Sequence, residues 1–262
     1  MIKAMRTAAT GMIAQQFNVD TIANNLANVN TTGFKKNNVE FQDLLYQTIR
    51  AAGTTFIQGA EVPSELQVGN GVKVAATPKM FSQGDVVPTN RKLDVALNGD
   101  GFFQVMGPDG TIYYTRDGSF QINRDGTLVT KDGFILQPEM SIPENATDIM
   151  IGIDGTVSVL TPDAVEETVI GQIELAKFIN PAGLKNIGRN LYVPTAASGD
   201  PLLGIPAQEG YAETLQGYLE KSNVQVVEEM VNMITAQRAY EINSKAITVS
   251  DEMLSTVNNL RR

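Results

Sequence analysis

All eleven prolines of this 262-residue chain lie between Pro63 and Pro206, and no other feature constrains the fold as strongly. Proline removes a helical hydrogen bond and clashes with the preceding turn, so a long helix can run only where it is missing. Glycine is polarised the same way: Gly11 and Gly33 stand alone in the first fifty residues, and Gly217 stands alone after Gly210. The chain therefore reads as a helix, a turn-rich middle and a second helix.

Both ends carry a sevenfold apolar repeat. In the first, expected over 2–29 with Gly33 as its stop, Met5, Met12, Val19 and Leu26 recur every seven residues, and Ala8, Ile22 and Val29 widen the stripe. In the last, Ser222 and Gln225 match a capping box, and Val226, Met233, Tyr240, Ile247 and Leu254 then recur to the end. A heptad repeat held this long points to a coiled-coil seam. The companion positions are less apolar: Met230, Gln237, Ser244 and Asp251 in the last helix, and Ala9, Gln16 and Ala23 in the first. Two strands alone would bury little along such seams, so each helix is expected to meet several neighbours.

The stretch "DTIANNLANVNTTGFKK" (20–36) adds Asn24, Asn25, Asn28 and Asn30 on or beside the first helix. Asparagine costs roughly half a kcal/mol or more per helical position relative to alanine. Their amides suit an interface, where they donate and accept across helices.

The middle is expected to be β. Asp-Gly occurs at 100–101, 109–110, 117–118, 125–126 and 132–133, with "FFQVM", "TIYYT", "SFQIN", "TLVT" and "FILQ" between or after these dipeptides. Asp-Gly supplies the positive φ of tight hairpins, and strands at this spacing read as a meander. A second group of strands is expected over "DIMIGID", "VSVL", "GQIELAKFI" and "NLYVPT". The fold class is thus α+β: N- and C-terminal coiled-coil helices packed together, with a central, mainly antiparallel β domain.

Composition narrows the function. The formal charge is −9, yet residues 1–50 carry five Lys/Arg against three Asp/Glu and residues 211–262 carry five against seven. The two ends cancel, and all the excess acid lies in the middle, which argues against a nucleic-acid partner. Cysteine and histidine are both absent, which removes disulfides, thiolate chemistry and the commonest general base and metal ligand. No apolar run reaches the ~20 residues of a membrane span, so membrane insertion is not expected. The start, "MIKAMRTAATGMIAQQF", lacks the pattern of a cleaved secretory signal.

Candidate sites resolve into packing. Asn123, Asp125, Gly126 and Asp132 stand at calcium-loop offsets, but Gln121 holds the first ligand position and the flanks read as strands. Glu166–Glu167 and Glu228–Glu229 are adjacent carboxylates, which point apart on a strand or helix rather than flanking a bond. "GNGVKV" (69–74) lacks the Gly-Lys-Ser/Thr of a phosphate loop. No catalytic set, metal or cofactor is expected.

The local sequences resemble the axial proteins of the bacterial flagellum, the basal-body rod and hook family. "NVDTIANNLANVNTTGFKK" is similar to their N-terminal signature, "LDVALNGDGFFQV", "YTRDGSF" and "GTLVTKDGF" to their central segment, and "SNVQVVEEMVNMITAQRAYEINSKAI" to their C-terminal signature. Total length and the stretch 46–72 resemble the distal-rod branch. The resemblance implies residues 1–34 and 212–262 as an inner coiled-coil domain, 35–72 as an extended connector and 73–211 as an outer β domain. It implies a homo-oligomer, stacked helically into a hollow drive shaft, with proximal rod proteins, hook-side subunits and ring bushings as neighbours. It also implies passage through the flagellar type III export apparatus and residence in the basal-body rod, across the periplasm. Asn24, Asn25 and Asn28 would then bond to adjacent subunits. "FQDLL", with Phe41, Leu44 and Leu45, resembles an export-gate signal and equally fits an apolar anchor of the connector. Another rod or hook subunit stays open as a reading, as does a carbohydrate-binding or adhesive β module on a coiled-coil stalk.

Overall fold

The structure, a computed structural model, describes residues 2–52, 64–162 and 167–259. It is α+β and divides into a helical unit (1–26, 37–78 and 225–262) and a β unit (27–36 and 79–224).

The helical unit holds α1 (Ile2–Ala27, 26 residues) and α2 (Val226–Asn259, 34 residues), which pack together. Between them in sequence, Glu40–Asp43 pairs antiparallel with Val72–Ala76, and Gln47–Arg50 with Leu66–Val68. The middle of the 46–72 stretch, residues 53–63, lies outside the described residues. Thr10 ties the paired strands to α1, its hydroxyl accepting from the Val72 amide at 3.3 Å.

Two helix ends differ from expectation. α1 stops at Ala27, six residues before Gly33, which lies in the β unit with φ 66. A Cβ there would meet the Arg116 carbonyl carbon at 2.8 Å, so this glycine permits close backbone packing rather than capping a helix. α2 starts at Val226, so Ser222 is too far upstream to cap it. The Ser222 hydroxyl instead accepts from the Val224 amide, and its neighbour Asn223 bonds into the β unit.

The β unit is antiparallel throughout. Its main sheet runs Lys185–Gly188, Leu191–Val193, Ile112–Thr115, Phe102–Met106, Ile135–Gln137, Leu128–Val129 and Gln121–Ile122, with Leu175–Lys177 joining at Phe102 and Phe103 and carrying Leu202–Gly204. A three-stranded sheet (Asp148–Ile151, Thr156–Leu160, Thr168–Gln172) and two pairs, Val95–Asn98 with Glu213–Gln216 and Val86–Pro88 with Tyr218–Glu220, complete it. Side chains alternate faces along a strand, so Phe102 and Phe103 enter different cores. Phe103 packs with Val95, Leu97, Val105, Phe120 and Leu175, while Phe102 packs with Tyr114, Phe178 and Tyr192. Burial on both faces explains why Phe102 and Phe103 stand side by side rather than alternating with polar residues.

Asp-Gly turns behave as read at three sites: Gly110, Gly126 and Gly133 have φ of 76, 78 and 84, each in a hairpin closed by a backbone bond. Residues 123–127 are one of these, with the Asn123 amide donating to the Thr127 carbonyl, so the calcium-like spacing is turn chemistry. A sixth Asp-Gly, at 154–155, turns the 148–160 hairpin and escaped the sequence reading. There are two exceptions: Asp100–Gly101 links strands Val95–Asn98 and Phe102–Met106, which pair with other strands rather than with each other, and Gly118 serves close approach rather than positive φ.

Candidate assembly surfaces

The expected heptad residues of α1 and α2 are mostly half-buried, and beside them runs a second column that on α2 has no apolar pattern. On α2, Met233, Ile247 and Leu254 are half-buried and Tyr240 is 40% exposed, while the second column is Glu229, Ala236, Asn243 and Ser250. On α1 the matching positions are Ala8, Gln15 and Ile22, beside the half-buried Met5, Met12, Val19 and Leu26. Each second column thus lies three residues after the apolar one, not four. Gln16, Ala23, Gln237 and Asp251 are exposed, as is Met230 at 51%. Small residues let the backbones close in. A Cβ on Gly11 would sit 2.9 Å from the Asn243 side-chain nitrogen.

Asn25 differs from its expected inter-subunit role because it is buried and bonds within the chain. Its Nδ2 donates to the Asn37 carbonyl at 2.9 Å and to Glu229 Oε2 at 3.3 Å, and its Oδ1 accepts from the Asn37 amide at 2.9 Å. A buried carboxylate at a helix seam is costly without such a donor. The asparagine penalty in α1 is thus offset where Glu229 needs a partner. Asn28 accepts from the Thr31 hydroxyl at 3.2 Å, and Asn24 is exposed on α1. Of the paired acids, Glu228 is exposed while Glu229 is buried, so they diverge. Glu167 accepts from Ser158, and its neighbour Glu166 lies outside the described residues.

α2 has a second apolar stripe on the side turned away from this seam. Val227, Val231, Ile234, Ile242, Val249, Met253 and Val257 follow helical spacing, and Ile242 is 68% exposed. Val226, the first residue of the expected heptad, is 41% exposed at the helix start. On α1, Ile13 and Phe17 are also exposed. Apolar residues aligned this way on one helix face mark an interaction surface.

Phe41 lies in the strand Glu40–Asp43, opposite Val74, and is 41% exposed. The Leu44 amide donates to the Gly71 carbonyl at 2.9 Å. Leu45, 89% exposed, borders an open groove with Arg6, Thr10 and Lys73. In the folded chain, backbone pairing therefore holds this segment.

The β unit contains a polar cluster that carries no local sequence signal. Lys35, Arg116 and Glu220 are buried together, with Lys35 Nζ 2.5 Å from Glu220 Oε1 and an Arg116 terminal nitrogen 3.4 Å from Oε2. Lys35 and Glu220 are 185 residues apart in sequence, beyond the reach of any pattern window. Among the described residues, no group of three or more His, Cys, Asp or Glu side chains is placed to hold a metal ion. No described helix is long and apolar enough to cross a membrane.

Comparison with known proteins agrees with this layout segment by segment. The family described as flagella basal body rod protein matches residues 5–35, the flagellar hook protein FlgE/F/G D1 domain matches 96–159, and the flagellar basal body rod FlgEFG protein C-terminal family matches 215–260. The flagellar basal-body rod protein FlgG of Borreliella burgdorferi is 54% identical over 264 residues, covering 100% of both chains. FlgG of Caulobacter vibrioides is 48% identical over 261 residues, covering 99% of this chain and 100% of that one. FlgG of Bacillus subtilis is 40% identical over 270 residues, again covering 100% of both. Similarity that runs end to end, through helices and β unit alike, permits one assignment: the chain belongs to the family of flagellar basal-body rod proteins.

Proposed function

We propose that this chain is the distal-rod subunit, a structural rather than catalytic protein whose copies stack helically into a hollow shaft carrying torque from rotor to hook. In this reading α1 and α2 line the export channel; the inner-domain bounds expected from the resemblance, 1–34 and 212–262, narrow to these helices, because 27–36 and the strands Glu213–Gln216 and Tyr218–Glu220 belong to the β unit. Proximal rod proteins, hook-side subunits and the ring bushings are its neighbours, and the shaft spans the periplasm. The observation that carries the polymer is the outer stripe of α2. A monomer gains nothing by presenting Val231, Ile234 and Ile242 to water, whereas packing them against another copy recovers roughly 25 cal/mol per Å² of apolar surface. Asn24 and Asn28, with the heptad residues that α1 leaves half-covered, would complete these contacts.

A photo-crosslinking residue at position 234, in rods isolated from cells, tests this directly. The expected product is a ladder in multiples of 28.3 kDa. Crosslinks to other proteins alone, or none, would overturn the polymer reading of the stripe.

We further propose that Phe41, Leu44 and Leu45 are read by the flagellar type III export apparatus before the chain folds. The strand pairing of Glu40–Asp43 supports this order, because a signal in that strand is accessible only while the strand is unformed. Phe41→Ala with Leu45→Ala is expected to leave the chain in the cytoplasm at normal abundance. Undiminished export on cell fractionation, followed by weak or shortened rods, would make the segment a connector anchor instead.

A further inference from the structure

The β unit joins the rest of the chain through three segments, 31–36, 79–85 and 217–224, each beside a point where the chain leaves that unit. They are also knitted to one another. The Gly33 amide donates to the Glu220 carbonyl at 2.9 Å and the Met80 amide to the Lys36 carbonyl at 2.9 Å. Asn223 bonds both of the other segments: its Oδ1 accepts from the Lys36 amide at 2.8 Å, and its Nδ2 donates to the Met80 carbonyl at 2.8 Å.

The buried ions sit at the centre of this junction. Lys35 donates to the Ser82 carbonyl at 2.7 Å as well as to Glu220, and Glu220 also accepts from the Gly84 amide at 2.9 Å. Arg116 lies against the Phe102 ring at 5.3 Å. There is no slack at Gly84, where a Cβ would fall 2.1 Å from the Lys221 carbonyl oxygen. Burial lowers the pKa of both the Lys35 ammonium and the Arg116 guanidinium, and Glu220 offsets that penalty in each. One carboxylate therefore makes two buried cations tolerable, and breaking such a set costs far more than forming it gains.

We propose that this cluster is a completion lock: the three segments join only once Glu220 has arrived, and until then Lys35 and Arg116 hold the junction open. Synthesis or threading from the N-terminus delivers Lys35 and Arg116 long before Glu220. An incomplete chain then faces two uncompensated cations at the junction, whereas the sheet core, built between Val95 and Ala212, carries no such dependence. A subunit that seals its junction last avoids fixing the segments that lead to α1 before α2 exists to pair with it.

Hydrogen exchange on the full chain tests the lock independently of polymerisation. In Glu220→Gln, amides of 31–36 and 79–85 are expected to exchange about a hundredfold faster, with those of 102–106 and 135–137 unchanged. Adding Lys35→Met, which removes one stranded cation, is expected to recover part of that protection. Asn223→Ala, which leaves the ions intact, is expected to loosen the same segments about tenfold. In pulse-labelled refolding of the unaltered chain, 31–36 is expected to gain protection together with 217–224 and after the sheet. Unchanged exchange at the junction in Glu220→Gln, equal acceleration across the sheet, or protection of 31–36 ahead of 217–224 would each overturn the proposal.

Discussion

Replacing Ile242 with aspartate is expected to abolish rod assembly while leaving the isolated chain's unfolding curve unchanged. Ile242 is 68% exposed on α2, so the substitution removes little packing within the chain and should shift stability by no more than about 0.5 kcal/mol. In a polymer the same position would bury an unpaired carboxylate, at a cost of several kcal/mol per contact. About 3 kcal/mol weakens one contact by more than a hundredfold, and in a helical stack the loss recurs at every copy. Ile247→Asp is the useful contrast. Ile247 is half-buried on the side of α2 that meets α1, so this change is expected to weaken the helical unit of the monomer itself. Thermal melts by circular dichroism, with electron microscopy of basal bodies from cells expressing each variant, separate the two. Intact rods built from Ile242→Asp would show that the outer stripe is not an assembly surface.

The contrast between Ile242 and Ile247 also shows what periodicity reveals and what it hides. A column of Met233, Tyr240, Ile247 and Leu254 declares itself because apolar residues recur every seven positions. Its companion, Glu229, Ala236, Asn243 and Ser250, has no hydrophobic signature and is recognisable only through what faces it: Asn25 beside Glu229, and Gly11 beside Asn243. An apolar count instead favours Met230, which is exposed. Most strands between Phe102 and Val193 and most turns of the β unit are legible because alternation and Asp-Gly are local signals, whereas Glu213–Gln216 and Tyr218–Glu220, expected inside the C-terminal helical domain, are not. The junction was not, because Lys35 in "GFKK" looks like any basic loop residue until Glu220 is brought to it. Ser222 failed as a cap for a related reason. Asn223, next after it, is held by Met80, Ser82 and Lys36, and α2 begins three residues later.

Gly118→Ala is expected to be the most damaging single methyl addition among the Asp-Gly dipeptides, even though Gly118 is not among the glycines with positive φ. Its Cβ would fall 1.7 Å from the Val95 carbonyl oxygen and 3.2 Å from the Phe103 ring. Neither neighbour can yield. The Val95 amide donates to the Gly118 carbonyl at 3.0 Å, and Val95 and Phe103 are both fully buried in the larger core. Overpacking of this kind costs about 3 kcal/mol, which lowers Tm by roughly 6–12 °C in a unit of this size. Gly133→Ala makes the comparison. Gly133 has φ 84 and open space where its Cβ would go, so the change costs only the left-handed strain of about 1–2 kcal/mol. Calorimetry of the full chain, following the transition of the β unit, is expected to rank Gly118→Ala well below Gly133→Ala in Tm. If the order is reversed, the close approach of Val95 is not what holds a glycine in "RDGSF".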